Sequence, residues 1–164
     1  MSAARSILLV VLLALCSLAA AQPPGQPVQL RPGLYAGGQP DAAQLRELAG
    51  QGVTTVIDLR GAGEARGYDE VAAVRDLGLH YVALPIEGEA AINVANARAL
   101  QHALEASDGP VLLHCASGNR VGALLALAAH QGGASEAASL AQGRAAGLRS
   151  LEPVVRQRFR DGEL

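Results

Sequence analysis

The stretch that most constrains this chain runs from Val111 to Gly122, Val-Leu-Leu-His-Cys-Ala-Ser-Gly-Asn-Arg-Val-Gly. It opens on a short apolar run with a β-branched first residue, the length of a buried strand. After a few small and polar residues it passes into the Ala- and Leu-rich run Ala123–Ala129, a helix former. A strand that turns sharply into a helix aims unpaired backbone N–H groups into the turn, and such a turn is an anion site. Cys115 stands at the strand end beside those donors, whose field favours a thiolate. Arg120 opens the helix and offers a bidentate guanidinium fork to a phosphate- or sulfate-like group. Gly118 supplies the positive φ that lets backbone approach an anion closely. The amides of Ala116, Ser117, Gly118 and Asn119 are the expected substrate cradle, with His114 as an orienting neighbour of the thiol.

The rest of the chain reads as elements on which such a turn can sit. Val53–Leu59, Val-Thr-Thr-Val-Ile-Asp-Leu, has the pattern of a central strand covered on both faces. Asp58 and Arg60 stand at its carboxyl end, where ligands gather in open α/β sheets. Arg60 there forms a second basic wall for a substrate, or else a salt bridge with a neighbour such as Glu64. Asp58 orients Arg60 or Arg120. Leu34–Ala36 and Leu79–Leu84 read as further strands, with His80 on a strand face. Helices are expected over Asp41–Ala49 with Asp41 as N-cap, Tyr68–Leu77, Ala91–Ser107, Arg120–Ala129, Ser135–Ala146 and Arg149–Phe159, the last broken at Pro153. Strands alternating with helices predict a three-layer α/β fold, a central, largely parallel sheet of four or five strands flanked by helices. At 50% apolar and 17% charged, 164 residues can bury such a core in one domain. With aromatics at 2%, that core is Leu, Val and Ala. A net charge of −2 speaks against nucleic acid as a partner, which takes a basic face. The sequence has no metal-spaced His or Cys cluster and no dinucleotide-type glycine fingerprint.

The wording His114-Cys115-Ala116-Ser117-Gly118-Asn119-Arg120-Val121-Gly122 resembles the active-site loop of cysteine-dependent phosphatases. It is most similar to the beta-lactamase hydrolase-like phosphatase family, related to tyrosine and dual-specificity phosphatases. The resemblance takes in Thr54–Arg60 and covers most of residues 30–150. It implies a phosphoester hydrolase that works through a thiophosphoryl-cysteine on Cys115, with Arg120 and the loop amides holding the phosphoryl oxygens and no metal or other cofactor. A phosphorylated protein or a small phosphoester is the implied substrate. It also places the Gly38-Gln39-Pro40 turn near the rim of the site. Three departures stand out. Four residues separate Cys115 from Arg120, where most tyrosine phosphatases have five, and four is also the rhodanese length. Val121 follows the arginine where a Ser or Thr usually stands, which leaves Ser117 as the loop hydroxyl. The loop that carries the general-acid Asp in related phosphatases has none here. Glu87 and Glu89 are the acids available, and Glu87, closer to the strand end, is the first choice as proton donor. Two other readings share the loop. One is rhodanese-like sulfur transfer with a Cys115 persulfide, which needs no general acid. The other is a non-catalytic anion-binding module.

Residues 1–21 read as a signal peptide, with Arg5 as the positive region, Ile7–Leu15 as the apolar core and Ala19-Ala20-Ala21 before the cut. The apolar core is too short for a membrane span, and Leu15 is too large to precede a lipidated Cys16. The expectation is a periplasmic or secreted protein without stable membrane insertion after cleavage; an uncleaved anchor is the other reading. Residues 22–31, rich in proline, read as a linker, and 32–164 as the phosphatase-like domain. Cleavage leaves Cys115 as the one thiol, so no internal disulfide can form. A lone cysteine is ordinarily an inert small hydrophobe. The His, Ser-Gly and Arg around this one reverse that reading.

Overall fold

The computed structural model describes residues 26–162. The expected signal peptide lies outside these residues, as does the first part of the expected linker. Five strands form one sheet: Val28–Arg31 (β1), Leu34–Gly37 (β2), Thr55–Asp58 (β3), His80–Ala83 (β4) and Val111–His114 (β5). Their order is β1-β2-β5-β3-β4. Every neighbouring pair is parallel except β1 with β2. Six helices are described, Ala42–Gly50 (α1), Glu70–Asp76 (α2), Val94–Glu105 (α3), Asn119–Gln131 (α4), Glu136–Ala145 (α5) and Glu152–Asp161 (α6). Leu45 and Leu48 of α1 and Val74 of α2 pack with Val56 and Leu112 on one face. Residues of α3 to α6 pack with Leu34, Ala36, Ile57 and Leu113 on the other. The three-layer, largely parallel α/β sheet expected from the strand–helix alternation is the architecture of the chain. Among the described residues no helix is long and apolar enough to cross a membrane.

Two local expectations give way. Residues 28–31 are not linker but the edge strand β1, paired antiparallel with β2. Val28 and Leu30 are half-buried while Gln29 and Arg31 are exposed, a period-2 pattern that the flanking prolines had obscured. Pro27 and Pro32 stand on either side of the strand, where a missing N–H breaks no ladder. Pro153 does not break the last helix; it lies in the first turn of α6, where its fixed φ fits.

The strand register brings four positions level at the carboxyl edge of the sheet. Gly37 pairs with His114, His114 with Asp58, and Asp58 with Ala83. The pleat then divides the chemistry. Leu113 and Cys115 fall on the side of α3 to α6, whereas Leu112 and His114 face α1 and α2. Helix α4, which leaves from this edge, is buried from Val121 through Ala128. It meets α5 through a pair of glycines. A Cβ on Gly122 would collide with backbone atoms of Leu148 and Gly143, so only glycine allows this approach.

Candidate active site

The loop between β5 and α4 is set by local backbone chemistry. Cys115 leaves the buried strand only 1% exposed. Gly118 adopts φ +86°, the left-handed region, and a Cβ there would stand 3.1 Å from the Ala146 carbonyl oxygen and 3.2 Å from Gly37. That conformation turns the Gly118 N–H back onto the sulfur, 3.1 Å from Cys115 Sγ. The first helical hydrogen bond of α4 runs from Gly122 N–H to the Gly118 carbonyl. The amides of Asn119, Arg120 and Val121 therefore precede the ladder and lie at the positive end of the helix. On its other side the loop is tied down by Cys115 N–H to Gly37 O and by Gln39 N–H to Ala116 O, each 3.3 Å. A bridge between Gly38 and Ser117 completes this contact. The Gly38-Gln39-Pro40 turn thus lies directly against the loop.

Arg120 reaches out of the first turn and is held on one edge. Its Nη1 and Nη2 donate to the two oxygens of Glu64 at 2.5 and 2.6 Å, and Nη1 also donates to the Ile86 carbonyl at 3.1 Å. Glu64 is fixed in turn by the Gly61 N–H at 2.8 Å. The Arg120 hydrogen bonds hold the Glu64 carboxyl below its ordinary range, against the opposing effect of burial. Glu64 likewise raises the guanidinium's affinity for its proton; burial opposes this, and the nearby Cys115 adds to it. Reading the sequence alone assigned Glu64 at most to Arg60. The signal that could have found its true partner was its place in the loop after β3, next to the strand that carries Cys115.

A cleft of about 300 Å³ opens in front of the loop, walled by Glu64, Glu89, Ser117, Asn119, Arg120 and Leu151. Glu87, the acid expected to lead, is not among its walls. Its carboxylate lies over Gly61, where an added Cβ would strike it. The short 3₁₀ turn Glu89–Ala91 carries Glu89 into the cleft instead. Asn119 contributes its place in the loop, while its side chain faces away. Its Oδ1 accepts from the N–H of Arg149 at 2.8 Å and of Leu151 at 3.3 Å, and its Nδ2 donates to Ser150 Oγ at 2.7 Å.

Behind the loop, on the α2 side of the sheet, lies a buried charged cluster of Asp58, Arg60, Glu70 and His114. The expectation that Arg60 forms a second wall for substrate fails here. Its side chain is fully buried; Nε and Nη2 donate to Asp58 at 2.9 and 3.0 Å, and Nη2 also to Glu70. Asp58 does orient Arg60, and it accepts further from Tyr81 Oη at 2.7 Å and Arg66 at 3.2 Å. Burial works against the Asp58 carboxylate, but Arg60, His114 and Tyr81 outweigh it and hold its pKa at about 2. Glu70 is pushed the other way, to about 7, by burial and by the charge on Asp58, with Arg60 opposing. Burial lowers His114 to about 4, so its ring is neutral near pH 7. Its Nδ1 lies 3.4 Å from the Cys115 carbonyl, and its Nε2 lies 3.2 Å from Glu70 Oε1 without making a hydrogen bond. Glu70 Oε1 also accepts from Tyr68 Oη at 3.4 Å, so its carboxyl is held between that hydroxyl, Arg60 and the imidazole. Donor atoms of Asp58, Glu70 and His114 lie within 4.8 Å of one another, a set that could ligate a cation. Arg60 already stands among them and supplies the positive charge that the two carboxylates need.

Residues 29–134 match the family described as beta-lactamase hydrolase-like protein, phosphatase-like domain. A beta-lactamase hydrolase-like protein of Xylella fastidiosa is 38% identical over 104 residues, which is 61% of this chain and 24% of that protein. The chain spans about a quarter of the length of the curated relatives it matches. Among solved structures, P. aeruginosa TpbA in complex with pTyr superposes with a TM-score of 0.60 at 23% identity, covering 85% of this chain and 92% of that one. Human DUSP28 superposes with a TM-score of 0.58 at 19% identity, covering 88% and 97%. At these identities the likeness to the solved structures is one of fold.

Proposed function

This chain belongs to the family of phosphatase-like domains of beta-lactamase hydrolase-like proteins, and from that premise we propose that it hydrolyses phosphate monoesters through a thiophosphoryl intermediate on Cys115. The observation that carries this is the Gly118 N–H aimed at Cys115 Sγ from 3.1 Å, at the start of the helix whose first turn carries Arg120. The thiolate attacks phosphorus in line with the leaving oxygen, forming the S–P bond as the P–O bond breaks. The amides of Ala116 to Arg120 and the Arg120 guanidinium hold the equatorial oxygens, whose charge grows in the transition state. Glu89, the cleft acid that is not paired with Arg120, gives its proton to the leaving alkoxide. It then takes a proton from the water that attacks phosphorus and expels the thiolate. Ser117, exposed at the loop, is the hydroxyl placed to help the sulfur leave. His114 and, through Arg60 and Glu70, Asp58 orient the start of the loop. Phosphotyrosine in a protein and small phosphoesters are the substrates in view, and nucleic acid is not. Export to the periplasm with removal of residues 1–21 belongs to the same proposal, supported by Arg5, Ile7–Leu15 and Ala19–Ala21.

A second reading, sulfur transfer through a Cys115 persulfide, is favoured by one observation: the loop has four residues between Cys115 and Arg120. A substrate panel decides between them. The full chain and Cys115→Ser are given p-nitrophenyl phosphate, a phosphotyrosine peptide, and thiosulfate with cyanide. Release of phosphate by the wild type and none by the variant is expected. Undiminished release by Cys115→Ser would remove the cysteine from the reaction, and thiocyanate without phosphate would establish the second reading.

A further inference from the structure

Leu151 bounds the cleft in front of the Cys115 loop. The segment that bounds it continues into a second concavity of about 340 Å³, walled by Arg149, Glu152, Pro153, Arg156 and Arg160. Leu151 borders the first hollow, and its chain neighbours Arg149 and Glu152 border the second. Asn119, the residue before Arg120, ties the two together through its hydrogen bonds to Arg149, Ser150 and Leu151. The nucleophile's loop and the second hollow therefore hold a fixed relation to each other.

The charge of this second hollow is one-sided. Three arginines, Arg149, Arg156 and Arg160, and one acid, Glu152, wall it, in a chain whose net charge is −2. Glu152 is occupied by Arg144 at 2.5 and 2.8 Å and by Arg156 at 2.8 Å. Among the described residues the Arg149 guanidinium donates only to the backbone carbonyls of Arg144 and Leu148, and that of Arg160 to the neutral amide of Gln157. A solvated helix face ordinarily intersperses both signs. This one faces solvent with a surplus of guanidinium beside a phosphate-binding loop. Its spacing adds a second constraint. Arg156 and Arg160 stand one helical turn apart, about 6 Å along α6. Side chains on one face of an extended peptide repeat at nearly the same interval, about 6.6 Å.

We propose that the concavity from Arg149 to Arg160 is an anion subsite of the same active site, which receives acidic side chains at alternate positions of an extended phosphopeptide. The proposal rests on the phosphatase reading for the group bound at the loop and adds the class of substrate. Neither a bare aryl phosphate nor a neutral peptide engages it.

The test compares two fluorescent phosphotyrosine peptides that are identical except for Asp or Asn at two alternate flanking positions. Binding to Cys115→Ser is read by anisotropy at low and high salt. The acidic peptide is expected to bind about fivefold tighter at low salt, the gain of two exposed ion pairs, and the advantage to fade as salt rises. In Cys115→Ser carrying Arg149→Gln and Arg160→Gln the ratio falls to about one; with Arg149→Lys and Arg160→Lys it is retained, because the charge remains. Equal binding of the two peptides, or a preference that survives the Gln variant, would overturn the subsite. Turnover of p-nitrophenyl phosphate by the wild type is measured alongside. Its absence would sink the phosphatase reading, while the binding ratio would still decide the subsite.

Discussion

Glu64 decides what Arg120 can do. With both carboxylate oxygens on its two terminal nitrogens, the guanidinium is fixed where Arg120 borders the cleft. Glu64→Gln keeps the shape and removes the charge. It should lower kcat/KM for p-nitrophenyl phosphate by about ten- to a hundredfold, the scale of a misplaced positioning group. Initial-rate kinetics on the folded variant check this; an unchanged kcat/KM would mean that Arg120 needs no such anchor. The proposed proton donor makes a separate prediction. Glu89→Gln should slow an alkyl phosphate, whose leaving group needs a proton, by about a hundredfold and affect an aryl phosphate far less, whereas Glu87→Gln should leave both nearly intact. Comparing the two substrates for each variant reads this out, and a larger loss with Glu87→Gln would restore that residue. Cys115, Gly118 and Arg120 were legible in the sequence because one short turn holds all three, and their chemistry follows from local backbone rules. Glu64 was not, because it lies 56 residues from Arg120 and meets it only once β3 is laid beside β5. Arg60 was misjudged for the same reason. A basic residue at a strand end reads alike whether it faces ligand or two buried carboxylates.

At the level of elements, the β5–loop–α4 unit is held by Gly118, whose positive φ the sequence reading expected, and by Gly122, whose packing role inside the expected helix no pattern reveals. Gly122→Ala would drive a methyl into the backbone of Leu148 and Gly143 and push α5 away from α4. A loss of about 1–3 kcal/mol in unfolding free energy is expected, the usual range for overpacking. Urea titration measures it, and an unchanged midpoint would show that α5 shifts freely. The helices themselves were readable from their apolar spacing and, for α1 and α5, from Asp41 and Ser135 at their starts; Asp69 and Asn93 cap α2 and α3 in the same way, a few residues inside the expected bounds. Strand β1 was hidden because its four residues lie among prolines and because an edge strand buries only alternate side chains.

For the whole molecule, the buried cluster behind the loop couples stability to pH. Glu70 rises from an ordinary 4.5 to about 7 in the fold, so its stabilising contribution is complete below pH 4.5 and is lost as pH rises through 7. His114 falls from 6.5 to about 4, so its contribution is complete above pH 6.5 and is lost as pH falls through 4. The two slopes oppose each other between pH 4.5 and 6.5, and above that window only the Glu70 slope remains. Glu70→Gln removes it. The Tm of the variant relative to wild type should therefore climb between pH 6 and pH 8, as melting curves across that range will show; a constant difference would mean that Glu70 is already ionised at pH 6. The three-layer sheet was foreseeable from alternating strands and helices. That its carboxyl edge would carry a thiol on one side and a self-neutralised ion cluster on the other was not, because the division depends on the pleat of β5 and on where α2 lands. The proposed function rests on the sulfur of Cys115 taking the phosphoryl group. The direct measurement is to mix the full chain with p-nitrophenyl phosphate, quench in acid within the first turnover and examine the Cys115 peptide by mass spectrometry. A gain of one phosphoryl group on Cys115, absent from Cys115→Ser, is the expected result. Turnover that leaves Cys115 unlabelled, or a label on any other residue, would contradict it.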